Sequence, residues 1–110
     1  MREDNMTVEE FLRTYEIETD GLNYKSKRQL LKMIISHHKV DKDLEDLKYS
    51  KIPSEEKTPE SRTEFVTRIN NLDIKIINAV GYIAQINAIQ KEERKLKRQN
   101  TLKKIFGKRN

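Results

Sequence analysis

Cysteine and tryptophan are absent from the 110-residue chain, which also has only three glycines and two prolines. Without cysteine there is no disulfide bond, no thiol nucleophile and no thiolate metal site. Few glycines and prolines among many Glu, Lys, Leu and Ile residues favour helices over sheets. The composition therefore predicts an all-α protein without disulfides.

The usual residue patterns of enzymes are also missing. The chain has no glycine-rich phosphate loop, and its two histidines, His37 and His38, are neighbours. Neighbours on a helix point about 100° apart, so these two do not ligate one metal from the same face. Adjacent carboxylates such as Glu9 and Glu10 stand in polar surroundings, where nothing raises their pKa. We expect no enzyme activity, cofactor, metal site or small-molecule substrate.

No stretch reaches the about 20 apolar residues of a membrane span. The most apolar stretch, residues 74–89, is interrupted by Lys75, Asn78, Gln85 and Asn87, so we reject a span. Docking on a membrane surface by the few apolar residues near the C-terminus, Leu102, Ile105 and Phe106, is less favoured than the two binding functions below. The first residues resemble no signal peptide, and a cytoplasmic location is the expectation.

The net charge of +5 is concentrated at one end. Residues 91–110 contain only two acidic residues, Glu92 and Glu93, against nine basic ones: Lys91, Arg94, Lys95, Lys97, Arg98, Lys103, Lys104, Lys108 and Arg109. Segregated Lys and Arg side chains bind phosphates by displacing condensed counterions. We therefore predict these nine residues as a nucleic-acid site of weak sequence preference. The alternative is a solvated helix end whose cations suit the helix dipole.

A heptad line of apolar residues dominates the C-terminal half. Its spacings alternate between four and three residues, as in a coiled coil, and its members are Phe65, Ile69, Leu72, Ile76, Ala79, Ile83 and Ile86. We call this line the first seam. It predicts one long helix within residues 60–110 that packs on other helices. Those helices belong to the N-terminal part of the chain or to a second copy, and we predict a homo-oligomer of undetermined number.

The long helix is apolar outside the first seam as well. Ile74, Ile77 and Val80 lie on other faces, and a helix that is apolar on several sides is usually buried on more than one. These residues also suit a protein partner, toward whose acidic surface the basic end would steer the chain. The alternative function is thus a helical adaptor, assembly factor or inhibitor of the kind found among phage and mobile-element accessory proteins.

The N-terminal part, residues 1–49, has local helix signals. Thr7 with Glu10 predicts a capping box, with Met6 packed on Phe11 and a helix that ends near Gly21. A second helix is expected from Ser26 to about residue 38, and a brief third one from about residue 41. Residues 50–59 are polar and contain a proline, which is typical of a flexible linker. Thr58 and Pro59 then restart the helix.

Residues 7–35 resemble the helix-extension-helix motif of SAP-type DNA-binding modules. The elements that carry the resemblance are Gly21-Leu22 at the end of a helix, Ser26 and Lys27 in the loop region, and Leu30-Leu31 in the second helix. The loop is a residue short and has Tyr24-Lys25 where the family has a glycine. The resemblance implies that Lys25, Lys27 and Arg28 contact DNA phosphates; the alternative is an ordinary helical hairpin with solvated lysines.

The expected architecture is therefore a short N-terminal helical hairpin plus one long C-terminal helix, which together form a helical bundle or a coiled-coil-like oligomer. The expected function is non-enzymatic binding. A nucleic acid, DNA first, is slightly favoured over a protein partner because the basic charge is segregated.

Overall fold

The computed structural model describes residues 6–107, in which every regular element is helical. Helix α1 spans Val8–Arg13, α2 spans Tyr24–Ser50 and α3 spans Pro59–Gly107; a 3-10 turn at Ser54–Glu56 lies between the last two. The long C-terminal helix and the absence of strands from these residues confirm the all-α prediction.

Helices α2 and α3 form an antiparallel hairpin. At its open end the Tyr24 hydroxyl donates to Glu93 Oε2 at 2.8 Å. At its closed end the rings of Tyr49 and Phe65 stack with their centroids 4.3 Å apart. Because α3 is much longer than α2, the molecule is elongated, with a longest dimension of 84 Å.

Helix α1 begins as predicted and ends earlier. The Thr7 hydroxyl accepts from the Glu10 backbone and the Glu10 carboxylate accepts from the Thr7 backbone, which completes the capping box. The helix ends at Arg13 instead of near Gly21, because Glu16 adopts a left-handed conformation with φ of 60°. The chain thereby turns Tyr15 and Ile17 toward the core, against which both pack.

The second and third helices expected from the sequence are a single helix, α2, of 27 residues. Its N-cap is Asn23, whose side chain accepts from the Ser26 backbone at 2.8 Å. Asp41 caps no new helix. It stays inside α2, where its carboxylate lies 3.5 Å from His37 and 3.8 Å from His38. No glycine or proline breaks the chain between residues 22 and 52, so the helix continues.

The core lies where α1 rests on the hairpin. It contains eight buried apolar residues: Val8, Phe11, Leu12, Leu31, Ile34, Ala79, Tyr82 and Ile86. The Tyr82 hydroxyl donates to the Met6 carbonyl at 3.0 Å and so ties α3 to the start of the N-terminal segment. Met6 itself packs against the core, as does Ile83 of the first seam.

The first seam packs inside the chain. All seven of its residues are buried or half-buried, and the covering elements are α2 and α1. Phe65 stacks on Tyr49 of α2, while Ala79 and Ile86 lie in the core. The oligomer role predicted for this seam stays a prediction, but the single chain already covers these residues.

The connection between α2 and α3 is short and polar. Lys57 lies 4.9 Å from the ring centroid of Tyr49, and Thr58 caps α3 as predicted by accepting from the Ser61 backbone at 3.0 Å. Pro59 is the first residue of that helix. The flexibility predicted for residues 50–59 stays a prediction. Among the described residues, no helix has the length and apolarity that crossing a membrane would require.

Candidate nucleic-acid interface

The last part of α3, residues 91–107, projects beyond the hairpin, and we call it the basic arm. Its anchor is the end of the hairpin, where Arg28 donates to Asn87 at 3.5 Å and also to Gln90, and Tyr24 donates to Glu93. Every residue of the arm is exposed. The fourteen residues that follow Glu93 extend about 21 Å at 1.5 Å per residue. The arm is therefore a free helix that rises from a packed base.

The arm presents its basic side chains to solvent. Seven of the nine predicted nucleic-acid residues are described, and all seven are exposed: Lys91, Arg94, Lys95, Lys97, Arg98, Lys103 and Lys104. Lys108 and Arg109 lie outside the described residues. None of the seven forms an ion pair within residues 6–107, whereas Lys27, Lys42 and Arg68 of the hairpin each pair with a carboxylate.

Four of these cations share one side of the helix. Lys91, Arg94, Lys95 and Arg98 follow one another at spacings of three, one and three residues, which keeps them within an arc of about 100° and about 10 Å along the axis. We call this side the basic face. Lys97 and Lys104 lie near the opposite side, so the arm is basic all round but densest on this face.

The two acidic residues of the arm do not lie on the basic face. Glu92 and Glu93 fall outside its arc because each helical residue turns about 100°. Glu93 is also engaged by Tyr24, and this hydrogen bond raises the pKa of the Tyr24 phenol. The basic face therefore carries two guanidinium and two ammonium groups without a neutralising carboxylate among them.

Such a face can hold phosphate groups. Arg donates two parallel hydrogen bonds to a phosphate, and Lys contributes a compact charge. On a polyanion both displace condensed counterions, which makes binding depend strongly on salt. The face has no set of side chains placed to contact base edges, so its charges predict contacts to the nucleic-acid backbone only.

The SAP-like segment is arranged differently from the motif it resembles. Its first helix has six residues and its second has 27. Lys27 lies 2.7 Å from the Glu9 carboxylate and lowers the pKa of that group, and Arg28 is bound to α3. Of the three cations that the resemblance assigns to DNA, Lys25 alone has no contact of this kind with the part of the chain that the structure describes. The segment acts here as a packed part of the hairpin.

The two histidines share one carboxylate neighbour, because both rings approach Asp41 Oδ2. His38 is buried and His37 is exposed. Within residues 6–107, no three His, Cys, Asp or Glu side chains are grouped as metal ligands.

Exposed apolar side chains form a second surface feature. Eight hydrophobic residues are buried in the core, while thirteen large ones stay exposed on the described chain. On α3 they include Ile74, Ile77 and Val80, which the sequence had singled out. On α2 a matching set is exposed, and its spacings of seven, four and three residues are visible in the sequence once one continuous helix is assumed: Met33, Val40, Leu44 and Leu47.

Comparison of the chain with protein-family models, curated proteins and solved structures found no match. The geometry of the arm and of the exposed apolar faces is therefore the basis of the proposals that follow.

Proposed function

We propose that the protein binds nucleic acid, duplex DNA first, through the basic arm. The observation that carries the proposal is the basic face: four exposed cations within two helical turns, without an ion-pair partner in residues 6–107. The hairpin supports the arm from one end only, which leaves the helix accessible from every side.

The arm would contact the phosphate backbone of the nucleic acid. Each phosphate that a Lys or Arg neutralises releases condensed counterions, and the affinity falls with salt at a slope of about −0.9 per contact on B-DNA. The basic face would bind one strand, and Lys97, Lys103 and Lys104 would add contacts when the nucleic acid bends around the arm. We expect DNA of unrelated sequences to bind with similar affinity, because backbone contacts carry no sequence information.

The test compares two variants in each of which four basic residues are replaced by an uncharged one. In the first, the four residues of the basic face are replaced by Gln. In the matched control, four exposed lysines of α2 and its C-terminal cap are replaced by Gln, which removes the same charge: Lys32, Lys39, Lys48 and Lys51. Fluorescence anisotropy with a labelled mixed-sequence duplex, at low and at high salt, reports binding, and circular dichroism reports the helix content.

The basic-face variant should lose at least about tenfold in affinity at low salt, because its four charges contact phosphates. The control should stay within about threefold of the wild type, because its four lysines lie outside the arm. Equal losses in both variants would mean that net charge alone attracts DNA. Binding by neither the wild type nor the control would overturn the proposal. Repeating the titration with single-stranded DNA and duplex RNA identifies the preferred form.

A protein partner is the second candidate function, and the exposed apolar residues favour it. A surface on which large hydrophobic side chains remain exposed is typical of proteins that bind other proteins. In this proposal the arm steers the chain toward an acidic partner surface. Two results together would favour this function. The wild type would bind neither DNA nor RNA at low salt, and it would bind a protein partner that a variant with Met33→Gln and Val40→Gln does not bind.

A further inference from the structure

A second heptad line runs along α3, displaced by one residue from the first seam. Its first seven members each follow a first-seam residue directly, and the spacing of four and three residues continues to an eighth: Val66, Asn70, Asp73, Ile77, Val80, Ala84, Asn87 and Lys91. We call this line the second seam. Its Ile77 and Val80 are 66% and 52% exposed, so its apolar centre faces solvent in the single chain.

The second seam lies on the side of α3 where a second neighbouring helix would pack. A step of one residue turns the helix by about 100°, and helices in bundles contact two neighbours in directions separated by about a right angle. Helix α1 occupies the other flank of the first seam, where Tyr82 contacts Phe11 with ring centroids 5.0 Å apart. On the flank that carries Ala84, α2 contacts the polar seam residues Asp73 and Asn87 through Lys42 and Arg28. The apolar seam residues Ile77, Val80 and Ala84 between them are exposed and can receive one more helix.

The charges along the second seam indicate which helix fits. In an antiparallel pair of α3 helices centred near residue 82, the seam positions from Asp73 to Lys91 meet seam positions of the second copy. Val80 then lies opposite Ala84, and Asp73 lies opposite Lys91, so two opposite-charge pairs flank the apolar centre. A parallel pair would instead place Lys91 against Lys91 and bring together two arms that each hold seven basic residues against two acidic ones.

We propose that a second copy of the chain packs antiparallel on the second seam, so that two α3 helices form the centre of a homodimer. Asp73 can take part because its side chain is 40% exposed even while it pairs with Lys42 at 2.5 Å. Each basic arm then lies beside the N-terminal half of the partner's α3. Lys91 enters the contact, and the longer reach of Arg94, Lys95 and Arg98 leaves their charged groups in solvent.

The first test is the mass of the protein in solution. Ile77→Gln with Val80→Gln removes the apolar centre, and Met33→Gln with Val40→Gln is the control, because Met33 and Val40 are 65% and 55% exposed on α2. All four side chains are exposed, so both variants should fold like the wild type by circular dichroism. We expect a dimer for the wild type and the control, and a dissociation constant raised at least about a hundredfold for the seam variant by analytical ultracentrifugation.

The second test measures the relative orientation of the two α3 helices by crosslinking and spin labelling. Because the chain has no cysteine of its own, each introduced cysteine is the only one in its chain. A mixture of Asp73→Cys and Lys91→Cys chains should form a mixed disulfide, whereas Lys91→Cys alone should not crosslink to itself. A spin label on Asn100→Cys should give a distance of about 54 Å between copies, since residue 100 lies eighteen residues from the centre of the pair. A parallel pair would give only about 10 Å and a self-crosslink at residue 91.

A wild type that stays monomeric up to about 100 μM, or a dimer that the seam variant leaves intact, would overturn the inference. So would a parallel orientation. The inference does not depend on nucleic-acid binding, because the mass and the distances are measured without nucleic acid.

Discussion

Tyr15 Oη and His38 Nε2 lie 2.7 Å apart and form a hydrogen bond between the turn that ends α1 and the middle of α2. His38 is 5% exposed. Its other ring nitrogen has no hydrogen-bond partner among residues 6–107, and the Asp41 carboxylate lies 3.8 Å from it. The docking of the N-terminal segment on the hairpin thus includes a buried imidazole.

Protonation of His38 should weaken the fold. Burial lowers the pKa of His38, Lys75 and His37 lower it further, and Asp41 offsets part of this effect. In the unfolded chain a histidine has a pKa of about 6.5. Below that pH the unfolded state binds more protons than the folded one, so the free energy of unfolding should fall as the pH falls from about 6.5 toward the lower folded-state pKa. One proton limits the slope to about 1.4 kcal/mol per pH unit.

Urea unfolding at pH 7.5, 6.5 and 5.5 measures this dependence, and the neighbouring histidine supplies the control. His37→Gln, at an exposed position, should retain most of the dependence, because burial is the largest cause of the lowered His38 pKa and the charge of His37 is a smaller one. His38→Gln should flatten it, because few carboxylates titrate above about pH 5. An unchanged dependence in His38→Gln would assign the effect to another group.

The position of α1 should depend on Leu12. This side chain has no exposed surface and lies in the core with Phe11 and Leu31. Leu12→Ala removes buried apolar groups and leaves a cavity, so we expect a loss of about 2–5 kcal/mol in the free energy of unfolding. Leu47→Ala, at a site 50% exposed on α2, should cost about 0.5 kcal/mol or less. Chemical denaturation followed by circular dichroism gives both values, and similar losses in the two variants would contradict the described core.

Local signals in the sequence were sufficient to predict how helices begin. Thr7 with Glu10, and Thr58 with Pro59, define their helix starts through contacts within four residues. The end of α1 could not be predicted in this way. Glu16 takes a left-handed conformation between Tyr15 and Ile17, which both pack on distant parts of the chain. Contacts of that range have no local signal in the sequence.

The surface features were predictable to different degrees. The basic charge of the arm is a property of composition, and the spacing of its residues gives the basic face once a continuous helix is assumed. That the arm is free depends on where α2 begins, at Tyr24, relative to Glu93. The first seam was recognised from its spacing, yet the spacing alone could not tell whether its partner was α2 or a second copy. The two require the same pattern of side chains.

The capping box of α1 should contribute to stability by a measurable amount. Thr7→Ala removes the hydroxyl that accepts from the Glu10 backbone at 3.1 Å, and loss of an N-cap of this kind costs about 1 kcal/mol. Thr67→Ala, at an exposed position inside α3, should be neutral or slightly stabilising because Ala favours helices. Thermal unfolding of both variants measures the difference, and an equal effect would show that the cap contributes nothing.

The salt dependence of DNA binding should report how many cations of the arm contact phosphates. If all four residues of the basic face bind phosphates, their replacement by Gln should reduce the slope of log affinity against log salt by up to about 3.6. Replacing Lys97, Lys103 and Lys104 instead should reduce it by less, because these side chains lie away from the basic face, toward the opposite side of α3. Affinities measured between 50 and 200 mM salt, about the range over which such slopes are determined, give both values. If the three-residue variant lost as much slope as the four-residue variant, binding would involve the whole circumference of the arm, and the basic face would have no special part in it.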